Sequence, residues 1–235
     1  MAGITNADFL NTVIPFGFDV ATLGGYNLDQ PTINASKKIL ERGRKEFYFP
    51  KNIIHSHIKN EAIKIKEDNN VLVSVNLRST TPQPIIDVSK IDEVDIVEIN
   101  CHCRQPEFLE INCGQNMLLR EDLEEFISDV CNNACSKVSV KIRANVEGID
   151  DLKIAALVEN AGADYLHVDA MKKGISDADY KLLHEVCNNV DIPVIGNNSV
   201  NSEERILKML ETGVSGFSIA RALISKNLDF DISNF

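Results

Sequence analysis

Residues 138–168 read VSVKIRANVEGIDDLKIAALVENAGADYLHV, and this stretch decides the fold. A short apolar run at 138–142 is followed by a helical pattern at 150–161 and by a second apolar run at 165–168. Short runs without strict polar alternation are typical of strands that are covered on both faces. A strand, a helix and a strand in succession therefore indicate a parallel sheet wrapped by helices.

The same alternation extends along the chain and predicts an α/β fold, a (β/α)₈ TIM barrel, in a protein of 235 residues. Seven strands are expected, so the first strand is predicted to be truncated or only partly present, with residues 1–5 as its tail. One barrel domain is expected over residues 1–235, with a helical insertion at about 27–69. Strands are expected at 19–23, 71–77, 96–100, 138–142, 165–168, 193–196 and 216–219, and helices at 7–14, 32–43, 52–67, 120–132, 150–161, 177–188 and 202–212.

Composition excludes several classes of protein. Hydrophobic residues make up 44% and charged residues 25% of the chain, with no apolar run near the roughly 18 residues of a membrane span. No secretory or transit signal is visible, so a cytoplasmic protein without membrane contact is expected. The net charge of −11 opposes nonspecific binding of nucleic acid. Between Lys37 and Lys66, however, nine basic residues face three acidic ones, which indicates either solvated helix faces or a patch for a polyanion.

Two loops near the end of the chain have the composition of a phosphate site. Gly196, Asn197 and Asn198 follow the seventh strand of the predicted barrel, and Ala220 and Arg221 follow the eighth. Loops after these two strands commonly bind phosphate, because small residues expose backbone N–H groups and an arginine can bind the anion with two hydrogen bonds. The alternative is two ordinary turns with one surface arginine.

A second polar cluster directly follows the strand at 96–100. Cys101, His102 and Cys103 come after Asn100, where the mouth of the barrel is expected. A thiol that acts as an acid or nucleophile, an inert buried thiol, and a metal site that includes Cys113 are the three interpretations. Structural zinc sites usually space paired cysteines by two to four residues, so no metal site is expected.

Charged side chains are predicted to face the barrel interior from two further strands. Lys141 and Arg143 are two residues apart and therefore point to one side of their strand, as do His167 and Asp169 on the next one. A lysine inside a barrel must meet an anion or an electron-rich ring, because an unpaired buried ammonium is costly. Lys141 is therefore expected to be a cofactor or substrate ligand, or else an internal ion-pair partner, and His167 is more commonly a structural histidine.

These motifs, in this order, resemble those of the dihydrouridine synthases and related flavin barrels over nearly the whole chain. Residues 1–6, MAGITN, resemble the family's PMAG(V/I)TD segment, and residues 100–103, NCHC, resemble its N-x-G-C-P motif. Residues 140–143, VKIR, resemble V-K-x-R, residues 196–200, GNNSV, resemble G-N-G-D-I, and residues 216–222 resemble the terminal G-x-x-I-G-R-G segment.

The resemblance implies an FMN-dependent oxidoreductase of the tRNA-dihydrouridine synthase type, which reduces a carbon–carbon double bond of a uracil-like ring with NADPH or NADH as reductant. It implies Cys103 as the catalytic acid and Lys141 as a second catalytic residue that contacts the flavin. It implies tRNA or a small pyrimidine-like substrate as partner, with a homo-oligomer left open. The implied substrate residues are Asn100, Arg143 and His167, and the implied cofactor residues are Met1, Ala2, Asn76, Asn100, Lys141, Asp169, Gly196, Asn197, Asn198, Ala220 and Arg221.

The sequence departs from the family pattern at several of these positions. Asp169 stands where the family has a histidine beside the flavin, and Met171 stands where it has an arginine. About fifteen residues follow the last predicted strand, so the chain resembles a shorter, archaeal-type branch without the C-terminal helical domain that binds tRNA. Two alternatives stay open: a small-molecule flavin enzyme resembling dihydroorotate dehydrogenase, and a non-catalytic barrel that binds a phosphorylated ligand.

Overall fold

A computed structural model describes residues 1–232 and 234–235 of the chain. Its described residues form one sheet of seven strands in which all neighbouring strands pair in parallel. The strands are β1 (Val20–Asn27), β2 (Leu72–Arg78), β3 (Ile96–Cys101), β4 (Lys137–Arg143), β5 (Tyr165–Asp169), β6 (Val194–Asn197) and β7 (Gly216–Ser218).

Each strand lies beside the strand that precedes it in the chain, and at least one helical segment separates each pair of neighbours. This is the strand order of a (β/α)₈ barrel, here with seven strands in the described part of the chain, and the predicted fold class is confirmed. Residues 2–4 form a turn, and Thr5 makes an isolated antiparallel bridge with Gly24 in β1. The N-terminal segment therefore lies against the outer edge of β1.

The helices alternate with the strands as the sequence predicts. The segment between β1 and β2 contains two of them, α2 (Gln30–Glu41) and α3 (Lys51–Asp68), joined by residues 43–50 without regular secondary structure. The described helices are α1 (Ala7–Val13), α2 (Gln30–Glu41), α3 (Lys51–Asp68), α4 (Gln83–Val88), α5 (Pro106–Leu109), α6 (Leu123–Asn133), α7 (Asp151–Asn160), α8 (Tyr180–Cys187) and α9 (Glu203–Leu210).

Some predicted boundaries are wrong, for identifiable local reasons. Strand β1 does not end at Leu23 but continues through a register shift between Gly24 and Tyr26 to Asn27. The two glycines suggest a turn, yet a Cβ on Gly25 would lie 2.5 Å from the side-chain oxygen of Asn76, so glycine permits close approach of two strands. Helix α8 begins after Asp179, whose carboxylate accepts the N–H of Leu182, and not at residue 177.

The core lies between the sheet and the helices. All six residues of β3 are buried, as are the last six of β2, which is the pattern of strands covered on both faces. Helix α3 packs Ile54, Ile58 and Ile65, each at most 1% exposed, along one face. Burial of each such side chain contributes about 1.5–3 kcal/mol of hydrophobic free energy, and this helix therefore anchors the segment between β1 and β2.

No helix among the described residues is both long and apolar enough to cross a membrane.

Candidate active site at the carboxyl ends of the strands

Strand register brings the predicted site residues side by side. Asn100 on β3 pairs with Lys141 on β4, Lys141 pairs with His167 on β5, and further along the strands Arg143 pairs with Asp169. Paired residues of parallel strands point to the same face of the sheet. The register thus places these polar side chains in one row across three neighbouring strands.

Glu98 lies two residues before Asn100 on β3 and is the centre of a hydrogen-bond network beneath this row. Its carboxylate accepts hydrogen bonds from Asn76 Nδ2 at 2.7 Å and His167 Nδ1 at 2.6 Å, and it is 3% exposed. Burial raises the pKa of Glu98, but His167, Lys141 and the hydrogen bonds outweigh it and hold this pKa well below its usual range. Glu98 is therefore a buried anion that orders its neighbours.

The amide side chains extend this network to the loop after β3. Asn100 Nδ2 donates to Asn76 Oδ1 at 2.7 Å, and Asn100 Oδ1 accepts the backbone N–H groups of Cys103 at 2.9 Å and His102 at 3.2 Å. Because Asn76 also donates to Glu98, a continuous chain of hydrogen bonds joins the backbone at Cys103 to the buried carboxylate. The position of Cys103 is thus fixed by side chains of β2 and β3.

On the other side of Glu98 the network reaches β4, β6 and β7. Since the His167 Nδ1–H donates to the carboxylate, Nε2 is the acceptor, lying 3.2 Å from Lys141 Nζ and 2.8 Å from Ser218 Oγ. Asn197 Nδ2 donates to Ser218 Oγ at 2.7 Å. The expectation of a hydrogen-bonded, buried His167 agrees with these contacts, and Lys141 points toward the same group.

Asp169 takes part in a second, smaller cluster. Its Oδ2 lies 2.5 Å from His102 Nε2 and 3.2 Å from Arg143 Nη2, and Arg143 Nε donates to the backbone carbonyl of His102 at 3.3 Å. Burial raises the pKa of Asp169, but the hydrogen bond from His102 and the positive charges of Arg143 and Lys141 bring it to about 2. Asp169 is thus ionised and holds the loop that carries Cys103.

Two neighbouring cysteines are less suited than Cys103 to proton transfer. Burial raises the pKa of the Cys113 thiol to about 12, and it raises that of Cys101 well above its usual range, while both side chains are fully buried. Cys103 is partly exposed, and its carbonyl accepts the N–H of Gln115 at 2.8 Å. Gly114 has a φ of +62° and packs against Cys103 so closely that any Cβ would overlap the Cys103 carbonyl.

The loops expected to bind phosphate lie next to one another, since Asn197 Nδ2 also donates to the carbonyl of Ser218 at 2.9 Å. Asn198 has a φ of 114° and Ser199 a φ of 54°, the region that favours glycine. Among the described hydrogen bonds, none uses the backbone N–H of Asn198 or Ser199, and the side chain of Arg221 is exposed. Free N–H groups and an available guanidinium fit an anionic headgroup.

Met1 lies at the edge of the site and Ala2 follows it in the turn. The amino group of Met1 donates to Thr5 Oγ1 at 2.6 Å and to the carbonyl of Gly24 at 3.3 Å, which holds the N-terminal turn against β1. The roles of Met1, Ala2, Gly196 and Ala220 toward a cofactor stay predictions.

No group of three or more histidine, cysteine or acidic residues in the described part of the chain is placed to hold a metal ion. Cys101 has Met117 and not His102 as its side-chain contact, at 4.0 Å between sulfur atoms.

Several of the nine basic residues between Lys37 and Lys66 already have acidic partners. Arg42 binds Glu107 at 2.5 Å, Lys66 binds Asp95 at 2.5 Å, and Lys64 binds Glu61 at 3.1 Å. These three contacts neutralise part of the basic segment, and both interpretations of the remaining basic residues stay open. No salt bridge in the described structure involves Lys37, Arg44, Lys45, Lys51 or Lys59.

Comparison with known proteins identifies the family. The family model for dihydrouridine synthase (Dus) matches residues 44–228, more than half of the chain. The chain belongs to the dihydrouridine synthase family. The resemblance of the sequence motifs is thereby confirmed, and this membership places the chain among oxidoreductase-type flavin barrels.

Three curated proteins illustrate the range of this family's relatives. An uncharacterized protein of Methanocaldococcus jannaschii is 37% identical, with 98% of this chain and 89% of that protein covered. A probable tRNA-dihydrouridine synthase of Helicobacter pylori is 24% identical, covering 95% and 65%, and the catalytic subunit of dihydroorotate dehydrogenase B (NAD(+)) of Bacillus cytotoxicus is 28% identical, covering 57% and 50%. The chain spans about two thirds of the length of the H. pylori relative and half of the B. cytotoxicus relative.

Solved structures share the fold. Thiamine phosphate pyrophosphorylase from Pyrococcus furiosus superposes with a TM-score of 0.54 at 15% identity, covering 97% of this chain and 84% of that chain. FabK from Thermotoga maritima superposes with a TM-score of 0.54 at 16% identity, covering 96% and 63%. At these identities the likeness concerns the barrel architecture alone.

Sequence reasoning missed three members of the site: Glu98, His102 as a side-chain ligand of Asp169, and Ser218. Glu98 could have been found, because it lies two residues before Asn100 and therefore on the same face of the same strand. The partners of His102 and Ser218 come from strands that are distant in sequence, and no local pattern indicates them.

Proposed function

We propose that the protein is an FMN-dependent oxidoreductase that reduces a carbon–carbon double bond of a uracil-like ring, with NADPH or NADH as reductant. The observation that carries this proposal is the network around Glu98, which brings Lys141, Asn76 and Asn100 together and connects them to Cys103 and Asn197. Membership of the dihydrouridine synthase family, whose barrels are of the oxidoreductase type, supports the same conclusion.

The proposed cofactor residues fall into two groups. Free backbone N–H groups at Asn198 and the exposed guanidinium of Arg221 would hold the phosphate, together with Gly196, Asn197 and Ala220. Lys141 would lie against the flavin ring, where its charge suits an electron-rich group, and Asn76 and Asn100 would supply amide contacts. Met1, Ala2 and Asp169 are proposed at the border of the ring.

When bound, the flavin would supply the hydride. Cys103 donates the proton from its Sγ–H to the neighbouring carbon of the substrate, and the resulting thiolate lies near the positive charges of Arg78 and Arg143. Asn100, Arg143 and His167 orient the substrate ring. The buried Glu98 keeps His167 as an acceptor for Lys141, so the ammonium group stays directed into the site.

A binding experiment tests the cofactor claim. The purified protein, or the protein mixed with FMN, is expected to show flavin absorbance, and Arg221→Gln is expected to weaken FMN binding by at least about tenfold through loss of a charge-assisted hydrogen bond. Riboflavin, which lacks the phosphate, should bind both proteins equally. Arg44→Gln is the control, with unchanged affinity for FMN. Absence of flavin binding in the parent protein would reject the proposal.

A small molecule is the second candidate for the substrate, and the charge distribution favours it. The chain carries a net charge of −11, and part of its basic segment is neutralised by acidic partners. If tRNA is the substrate, affinity must fall steeply with salt, and replacing Lys37, Lys45 and Lys59 together by Gln should reduce the salt slope by up to about three units. No affinity for tRNA at low salt would favour the small molecule, as would a salt slope that these replacements leave unchanged.

A further inference from the structure

The imidazole of His102 is held at one nitrogen and free at the other. Nε2 lies 2.5 Å from Asp169 Oδ2, whereas no hydrogen bond in the described structure involves Nδ1. The side chain is 27% exposed, and solvent reaches Nδ1. A ring fixed on one edge and accessible on the other is placed to contact a ligand.

The partner at Nε2 decides which nitrogen carries the proton. Asp169 is ionised and can only accept, whereas Arg143 Nη2, which lies 3.1 Å from Nε2, can only donate. The contact of Nε2 with Asp169 is much shorter, at 2.5 Å, and Arg143 Nη2 has Asp169 as an alternative acceptor at 3.2 Å, so we place the hydrogen of the neutral imidazole on Nε2. Burial, together with the charges of Lys141 and Arg143, lowers the pKa of His102 to about 4, although Asp169 opposes this effect. At neutral pH the ring is thus uncharged, and Nδ1 presents a lone pair.

Arg143 packs against His102 and binds the same carboxylate. Its Nε donates to the carbonyl of His102, and its Nη2 contacts Asp169 at 3.2 Å. No hydrogen bond of the described residues uses Nη1 of Arg143, and this atom is accessible to solvent. One acceptor and one donor, held by the same carboxylate, therefore remain available at the mouth of the barrel.

An acceptor beside a donor complements an N–H group beside a carbonyl. Building on the function proposed above, we propose that His102 Nδ1 accepts the imide N–H of a pyrimidine-dione ring while Arg143 Nη1 donates to the adjacent carbonyl oxygen. His102 is thereby a specificity-determining residue, and Asp169 is the positioning residue that fixes its tautomer. A ring that carries a methyl group on the imide nitrogen lacks the donor and leaves Nδ1 without a partner.

The tautomer can be measured without cofactor or activity. In protein labelled with ¹⁵N-histidine, the His102 resonances at pH 7 are expected to show a protonated Nε2 and an unprotonated Nδ1, assigned by their loss in His102→Gln. Asp169→Asn should shift this ring toward a mixture of tautomers. A charged ring, or a neutral ring with its proton on Nδ1, would overturn the proposal.

Binding of uracil and of 3-methyluracil to the protein loaded with FMN tests the recognition. The parent protein is expected to prefer uracil by at least about tenfold, and His102→Ala should bring the ratio of the two dissociation constants to within about twofold. His102→Gln, whose side-chain carbonyl can accept the same N–H, should keep part of the preference. Thermal unfolding confirms that each variant is folded, and His184→Ala, on α8, is the control with an unchanged ratio.

The outcomes separate this inference from the function on which it rests. Equal binding of both rings by the parent protein, or an unchanged preference in a folded His102→Ala protein, rejects the role of His102 and leaves the oxidoreductase standing. Failure of the parent protein to bind either ring, with FMN present, rejects a uracil-like substrate and the role of His102 with it.

Discussion

Cys103→Ala is expected to lower turnover by at least about 100-fold with uridine-containing RNA or a free pyrimidine while leaving FMN bound. Removal of a positioned proton donor typically costs two to four orders of magnitude in rate. Cys103 fits this role because it is partly exposed at the mouth of the barrel, and Asn100 and Gln115 fix its backbone. Single-turnover oxidation of the reduced flavin by substrate measures the effect directly.

Two comparisons make this result specific. Cys135 is exposed and lies just before the amino end of β4, the end opposite the site, so Cys135→Ala should have the same turnover rate as the parent protein. Cys103→Ser retains a proton on oxygen, but a hydroxyl is a much weaker acid than a thiol. Its turnover rate should therefore lie between those of the parent protein and Cys103→Ala. Turnover by Cys103→Ala at the parent rate would contradict the role of the thiol as an acid.

The strands and their order could be predicted from the sequence, since each strand is a short apolar run separated from the next by a helical pattern. That Lys141 shares a face with Arg143, and His167 with Asp169, could also be anticipated, because alternation along a strand fixes which side chains share a face. The sequence does not encode register in any local pattern. The pairing of Asn100 with Lys141 and of Lys141 with His167 therefore required the structure.

Departures from the family pattern look independent in the sequence and are adjacent in space. Asp169 stands where the family has a histidine, and His102 stands in the motif at the position of the family's glycine. In the structure their side chains are hydrogen-bonded to one another. The imidazole of the loop after β3 and the carboxylate at the end of β5 therefore form one unit.

The loops of the site were the least predictable part. Helix α5 has four residues, and a 3₁₀ helix at Gly114–Leu119 follows it, and both are too short for a periodic pattern to develop. Residues 43–50 have no regular structure, yet they include Glu46, which is buried, with 8% of the whole residue exposed. What fixes this segment is a long-range ion pair with Arg78 at the end of β2.

Glu46→Gln is expected to reduce the free energy of unfolding by about 3–5 kcal/mol, the largest stability effect that we predict for a single replacement. The carboxylate of Glu46 binds Arg78 Nη1 and Nη2, both at 3.1 Å, and the two side chains are 2% and 1% exposed. Removal of one partner leaves the other as an uncompensated buried charge. Urea denaturation of the two proteins at neutral pH measures the difference.

A double replacement separates the ion pair from its surroundings. Glu46→Leu with Arg78→Met removes both charges and should recover most of the lost stability, because two apolar side chains of similar size need no compensation. Arg78 also donates to Asn27 and to the carbonyl of Gly25, and it stacks on Phe108, so full recovery is not expected. Glu110→Gln, which removes an exposed contact with Lys38, is the control with little change. If the double variant is as unstable as Glu46→Gln, the hydrogen bonds of Arg78 to β1, and not its charge, hold residues 43–50 in place.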